Sequence, residues 1–198
     1  MLKHLFAAAA ATIIMTGAAS AVTVTIDATD SIYGTNNTNG TAPVMYTFAA
    51  GSGNVLSFSS VTGLVRPNPN DPQVGPDGGS LYAPSNFSAL NGISGLYAPS
   101  TLFLAGVFVD SANLWSGPAP EVIDFVALGI DFASLSPLLN QAFFIGDGLT
   151  GTGSGSTQSF IAPEGADTLL LGFADGAYFN GVPRYYRDNS GSLSASFT

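Results

Sequence analysis

The sequence predicts an all-β protein built as a single β-sandwich, and three observations predict it. Apolar and hydroxylic residues alternate at both ends of the mature chain, two short segments are continuously apolar, and turn-forming residues separate them. Alternation with period two is the mark of a strand with one face buried, whereas a short continuous apolar run suits a strand covered on both faces. Helical periodicity is nearly absent.

The first 21 residues read as a secretory signal peptide and not as fold. Lys3 and His4 form a short basic start, Leu5 to Met15 is apolar, and Ala19-Ser20-Ala21 supplies the small residues of a cleavage site. Val22 is the expected mature start, and the expected location is secreted, extracellular or cell-surface. The apolar run is shorter than the roughly 20 residues a spanning helix needs. No second long apolar segment follows, so no membrane insertion is expected after cleavage.

From Val22 the strands follow in order. Val22, Val24 and Ile26 alternate with Thr23, Thr25 and Asp27, and Leu56 and Phe58 flank Ser57. Thr101 to Val109 and Thr168 to Ala174 are the two continuous runs, expected as central strands. Gln141 to Ile145 is a further strand candidate. A short helical turn is expected near Phe132 to Leu139, where Ser134 or Ser136 is placed to cap it. The Gly-Ser stretch 151–156 reads as a hairpin connection, and no Lys follows it to make a phosphate cradle. Leu193, Ala195 and Phe197 alternate with serines in the last strand. Turns rich in Gly, Pro, Asn and Ser join these pieces, as in Arg66 to Pro72 and Gly75 to Gly79. LYAPS occurs at Leu81 to Ser85 and at Leu96 to Ser100; its spacing is too short for a repeat architecture, and two Pro turns entering strands is the reading adopted. No linker divides residues 22–198, so one domain is expected there.

Composition restricts the chemistry. Lys3 and His4 are the only lysine and histidine, and both leave with the signal peptide. What remains has Arg66, Arg184 and Arg187 against 13 Asp and Glu, a net charge of −10, and no cysteine. Nucleic acid is excluded as a partner, because phosphate binding needs clustered Lys and Arg. Ser-His-Asp, Cys-His, Schiff-base and His-zinc mechanisms lack their residues. A two-carboxylate glycosidase mechanism has only Glu121 and Glu164 as glutamates, neither in an acid/base setting. No enzymatic activity is expected.

The informative segment is Leu169 to Thr198. An apolar run leads into Asp175-Gly176, and Asp188-Asn189-Ser190-Gly191 leads into the last strand. If the two strands pair, these acidic groups meet at one end of a sheet. Carboxylates brought together repel unless a cation or an arginine neutralises them. With Asn189 and backbone carbonyls they form a hard oxygen set, which suits calcium better than magnesium. The spacing leaves a second reading open: an ordinary Asx turn, with Arg184 or Arg187 pairing with the carboxylates.

The same segment resembles the end of small bacterial calcium-dependent galactose-binding lectins. Over most of its length the chain is similar to exported PEP-CTERM-class proteins with a galactose-binding-like jelly roll. The shared pieces are Val61-Thr62-Gly63, Pro76-Asp77-Gly78, Gly106-Val107-Phe108, Phe144 to Gly148 and the Asp-Asn-Ser-Gly-Ser ending. The sorting tail of that class does not follow Thr198, and the histidine that the lectins set beside the sugar has no counterpart after Val22. The resemblance implies a jelly-roll sandwich and a Ca2+ held by Asp175, Asp188 and Asn189, with backbone carbonyls near Gly176, Tyr185 and the turn after Gly63. Sugar hydroxyls would complete the shell, with Tyr178, Tyr185, Tyr186 and Asp77 as contacts; the tyrosines also suit plain packing on the sandwich rim. Two functions are therefore expected to compete. One is a secreted, lectin-like protein binding extracellular polysaccharide or glycoconjugates. The other is a structural cell-surface or extracellular-matrix protein in which calcium only stabilises the fold.

Overall fold

The computed structural model describes residues 21–50 and 53–198, so the expected signal peptide falls outside it except for Ala21. The described strands begin with β1 (Val22–Asp27), β2 (Val44–Thr47), β3 (Val55–Leu56), β4 (Phe58–Arg66), β5 (Ser85–Phe87), β6 (Leu96–Ala98) and β7 (Ala105–Val109). They continue with β8 (Ser134–Leu135), β9 (Ala142–Phe144), β10 (Leu149–Gly151), β11 (Ser154–Thr157) and β12 (Ser159–Ile161). The last are β13 (Thr168–Gly172), β14 (Asn180–Gly181) and β15 (Ser190–Phe197). The protein is an all-β sandwich.

The alternating segments form one sheet, in the order β1-β15-β4, antiparallel throughout. Leu193, Ala195 and Phe197 of β15 are buried, while Ser190 and Ser194 are exposed, as the pattern requires. β4 breaks strict alternation near Gly63, at a φ of 122° that favours glycine, and a Cβ there would run into the Ser192 carbonyl oxygen. The continuous apolar runs occupy the middle of a second sheet, β2-β13-β7-β9, and every residue of β7 and β13 is buried. Only Ala105–Val109 of the first run is strand. Thr101 to Leu104 is buried irregular chain, held by Thr101 bridging Gly79 and by the Leu104 amide bonding Pro76 O at 2.9 Å.

Aromatic side chains join the layers. Tyr46 of β2 meets Phe197 of β15 edge-on at 4.9 Å, and Phe143 of β9 stacks on Phe160 of β12 at 5.3 Å. Phe58 contacts both Phe160 and Phe197, so the sheet β3-β12-β8 shares this core. On the other side of β9, Phe144 packs on Phe103 and Phe125. The buried apolar residues run as one cluster from Ile26 to Phe197.

Three local expectations change. The helical turn lies at α1 (Phe125–Leu128), capped by the Asp124 carboxylate on the Ala127 amide, and Ser134–Leu135 is instead strand β8, drawn into a sheet by β12. A cap aspartate five residues before Gly129 outweighs the serines, whose backbone has sheet partners. The two LYAPS copies differ as well: the first turns into β5, the second is β6 itself, and they pair with Ser85 opposite Ala98. Finally β13 and β15 do not pair but lie in different sheets. The 151–156 stretch does connect a hairpin, between β10 and β11. Among the described residues no helix is long and apolar enough to cross a membrane.

Candidate functional site

Although β13 and β15 belong to different sheets, the segment between them returns its acidic groups to one place. Tyr186 causes this. Its ring is fully buried, and its hydroxyl donates to Phe173 O at 3.2 Å while accepting from the Asp175 amide at 3.1 Å. The Arg184 amide adds a bond to Asp175 O at 2.8 Å, so the end of the loop is tied to its beginning. β14 pairs with β5, bringing the turn at Tyr82 alongside. Ser190 pairs with Arg66, so the turn after β4, Pro67 to Pro72, stands next to the C-terminal loop.

The result is a cleft of about 300 Å³ lined by residues from three loops. Asn68 and Asp71 come from the turn after β4, Tyr82 from the turn before β5, and Asp175, Tyr178, Tyr185 and Asp188 from the C-terminal loop. Asp175 forms the floor, only 3% exposed. Burial pushes its carboxyl up to about 8, against the opposing help of the Gly176 amide at 2.6 Å and the Asn189 side chain. The charges acting on it are Asp188 and Asp71, and both repel it. Arg184 does not neutralise it; its guanidinium lies over the Tyr185 ring at 5.4 Å. The simple turn with an arginine counter-charge is therefore not what surrounds Asp175.

Asn189 is the second informative group. It is 7% exposed, its amide nitrogen donates to Ala28 O at 2.9 Å, and its Oδ1 is buried without a partner among the described residues. A buried acceptor left unmade costs about 1–3 kcal/mol. A buried carboxyl repelled by two aspartates, next to an amide side chain whose oxygen has no partner among the described residues, is a donor set that fits a hard cation. Among the described residues, no three acidic, histidine or cysteine side chains gather closely enough to hold a metal by themselves. A cation here would take amide and backbone oxygens as well, as calcium does.

The expected site residues thus divide. Asp175, Gly176, Tyr178, Tyr185 and Asp188 line one cleft, with Asn189 behind Asp175. Tyr186 is a buried tie with no surface to offer a ligand. Asp77 lies elsewhere, accepting the Asp147 amide at 2.9 Å beside a smaller cavity of about 180 Å³. Asp147 in turn accepts from Leu149 and Gly153, so the Pro-Asp-Gly and Gly-Asp-Gly motifs brace each other. No turn follows Gly63, because β4 continues to Arg66. Asn68, Asp71 and Tyr82 escaped the sequence reading. Their signal was present in the Asn-rich run 66–72 and in the first LYAPS, but nothing local tied either to the C-terminal loop.

Compared with known proteins, the chain matches no protein-family model, no curated protein and no solved structure.

Proposed function

We propose that the protein is a secreted, calcium-dependent carbohydrate-binding protein, lectin-like in its action on extracellular polysaccharide or glycoconjugates, and not an enzyme. The observation that carries the reading is the buried Asp175 carboxyl, repelled by Asp188 and Asp71, at the floor of a cleft rimmed by exposed tyrosines, with Asn189 next to it carrying an Oδ1 that has no partner among the described residues. Ca2+ at this floor would be held by Asp175, Asn189 and Asp188, and it would supply a Lewis-acidic centre able to accept sugar hydroxyls. The signal-like N-terminus and the acidic, lysine-free remainder of the chain agree with an exported binder of neutral ligands.

A second reading has its own support. Asp175 and Asn189 are buried, and Asn189 is already bonded to the backbone just after β1, so calcium would also hold together the ends of β1, β4 and β15. On that reading the metal stabilises a surface or matrix protein and no sugar binds.

Calcium titration with thermal unfolding tests the metal. At 100 times its Kd, calcium should add about 2.7 kcal/mol, which for a chain of this size raises Tm by roughly 5–10 °C. The shift should vanish in Asp175→Asn. A melting curve indifferent to calcium and chelator would remove both readings. A glycan array with and without chelator then separates them: calcium-dependent binding favours the lectin, and stabilisation without glycan binding favours the structural role.

A further inference from the structure

Three tyrosines at the cleft share an unusual combination of features. Tyr82, Tyr178 and Tyr185 are 43%, 75% and 52% exposed, and their φ values are 65°, 52° and 79°. A left-handed backbone disfavours any residue with a Cβ, and asparagine or glycine would suit these turns better. Among the described residues none of the three hydroxyls bonds to protein. Tyr82 and Tyr178 meet edge to face with centroids 5.4 Å apart, although their turns lie far apart in the sequence. Exposed rings on strained turns contribute little to folding, so their placement calls for a ligand that uses them.

The cleft also continues. Pro67 and Asp71 line a second cavity of about 210 Å³, whose other walls include Pro72, Leu81 and Leu102. The first cavity alone stands at the lower end of the roughly 300–1,000 Å³ usual for small-molecule sites. The pair forms a groove with an acidic floor and tyrosines at one end and apolar walls at the other. A sugar ring has a polar edge of hydroxyls and an apolar face of C–H groups, which matches such a surface.

Resting on the calcium-dependent carbohydrate reading, we infer that the site takes a glycan chain of at least two residues: one stacks on a ring face of the Tyr82–Tyr178 pair beside the acidic floor, and the next lies beyond Asp71 in the adjoining cavity. Monosaccharides would fill only half of the groove. Carboxylates and aromatic rings lining one cleft also suit an organic ammonium ion, and that occupant is an outcome of the test.

The experiment compares the full mature chain with Tyr82→Gly, Tyr178→Gly and Tyr178→Phe in calorimetric titrations. The probes are CaCl2 alone, then galactose, mannose, lactose and mannobiose in calcium, and tetramethylammonium chloride in chelator. Glycine relieves the left-handed turns, so both glycine variants should melt no lower than the parent. At least one disaccharide should bind roughly tenfold more tightly than its monosaccharide, and each glycine variant should lose roughly tenfold, a loss of the size seen when an anchoring aromatic is truncated. Tyr178→Phe should retain the affinity, and calcium affinity should be the same in all four proteins. Equal affinity for mono- and disaccharide, or sugar binding untouched by both glycine variants, overturns the inference while leaving calcium-dependent sugar binding standing. Calcium binding without any sugar overturns it together with the lectin reading. Absence of calcium binding sinks the proposed function itself. Binding of tetramethylammonium that depends on Tyr82 and Tyr178 would make the pair a cation cage and overturn the inference as well.

Discussion

Asp175 concentrates the conflict in this protein. Its carboxyl is buried beside two repelling aspartates and titrates near 8, against 3.8 for the unperturbed group. Between those values the fold holds a proton that the unfolded chain has released. The stabilisation is complete below about pH 4 and is lost as pH rises to about 8. In chelator, Tm should fall on the order of 10 °C between pH 5 and 8, and saturating calcium should flatten the profile by taking the proton's place. Asp175→Asn should remove most of the slope, leaving a remnant from Asp30 and Asp77, whose carboxyls burial also shifts upward. Melting of the parent that does not change with pH in chelator would contradict this account of the floor of the cleft.

At the scale of elements, the site is made by how the C-terminal loop is tied down. Tyr186 does this by bonding Asp175 N and Phe173 O with one hydroxyl. Tyr186→Phe keeps the ring and strands the Asp175 amide, while Phe173 O keeps its bond from the Ile32 amide, and the change should cost about 1–3 kcal/mol. On the proposed function it should also weaken calcium binding, because Asp175, next to Asn189, loses one of the bonds that position it. Urea unfolding measures the first effect and calorimetric titration the second. Loss of stability with calcium affinity intact would mean that the loop is organised by other contacts, such as the Arg184 amide on Asp175 O.

At the scale of the whole molecule, the two principal sheets and the sheet β3-β12-β8 meet around Phe160. Its ring stacks on Phe143 and takes edge contacts from Phe58 and Phe132. Phe160→Ala should cost about 3–5 kcal/mol. The loss should appear equally with and without calcium, since this core is remote from the residues that line the cleft. A calcium-dependent difference in the loss would show that core and cleft are coupled. Such a coupling would favour the structural role for the metal.

Much of this fold was legible in order. The alternation at the two ends of the chain marked two strands, which the structure pairs, and the runs ending at Val109 and beginning at Thr168 marked the buried centre of the second sheet. These are properties of local pattern, because period and burial are written into consecutive residues. The sequence also singled out Asp175, Asp188 and Asn189, which the structure gathers at one cleft. Only the tertiary structure decided that β13 and β15 lie in different sheets, that Asp77 pairs with Asp147 away from the cleft, and that Tyr186 is a buried tie. It alone brought Asp71 and Tyr82 to the C-terminal loop. Strand patterns specify which face of a strand is buried, but the choice of partner strand rests on contacts between residues far apart in the chain, and those contacts determine which loops share a cleft.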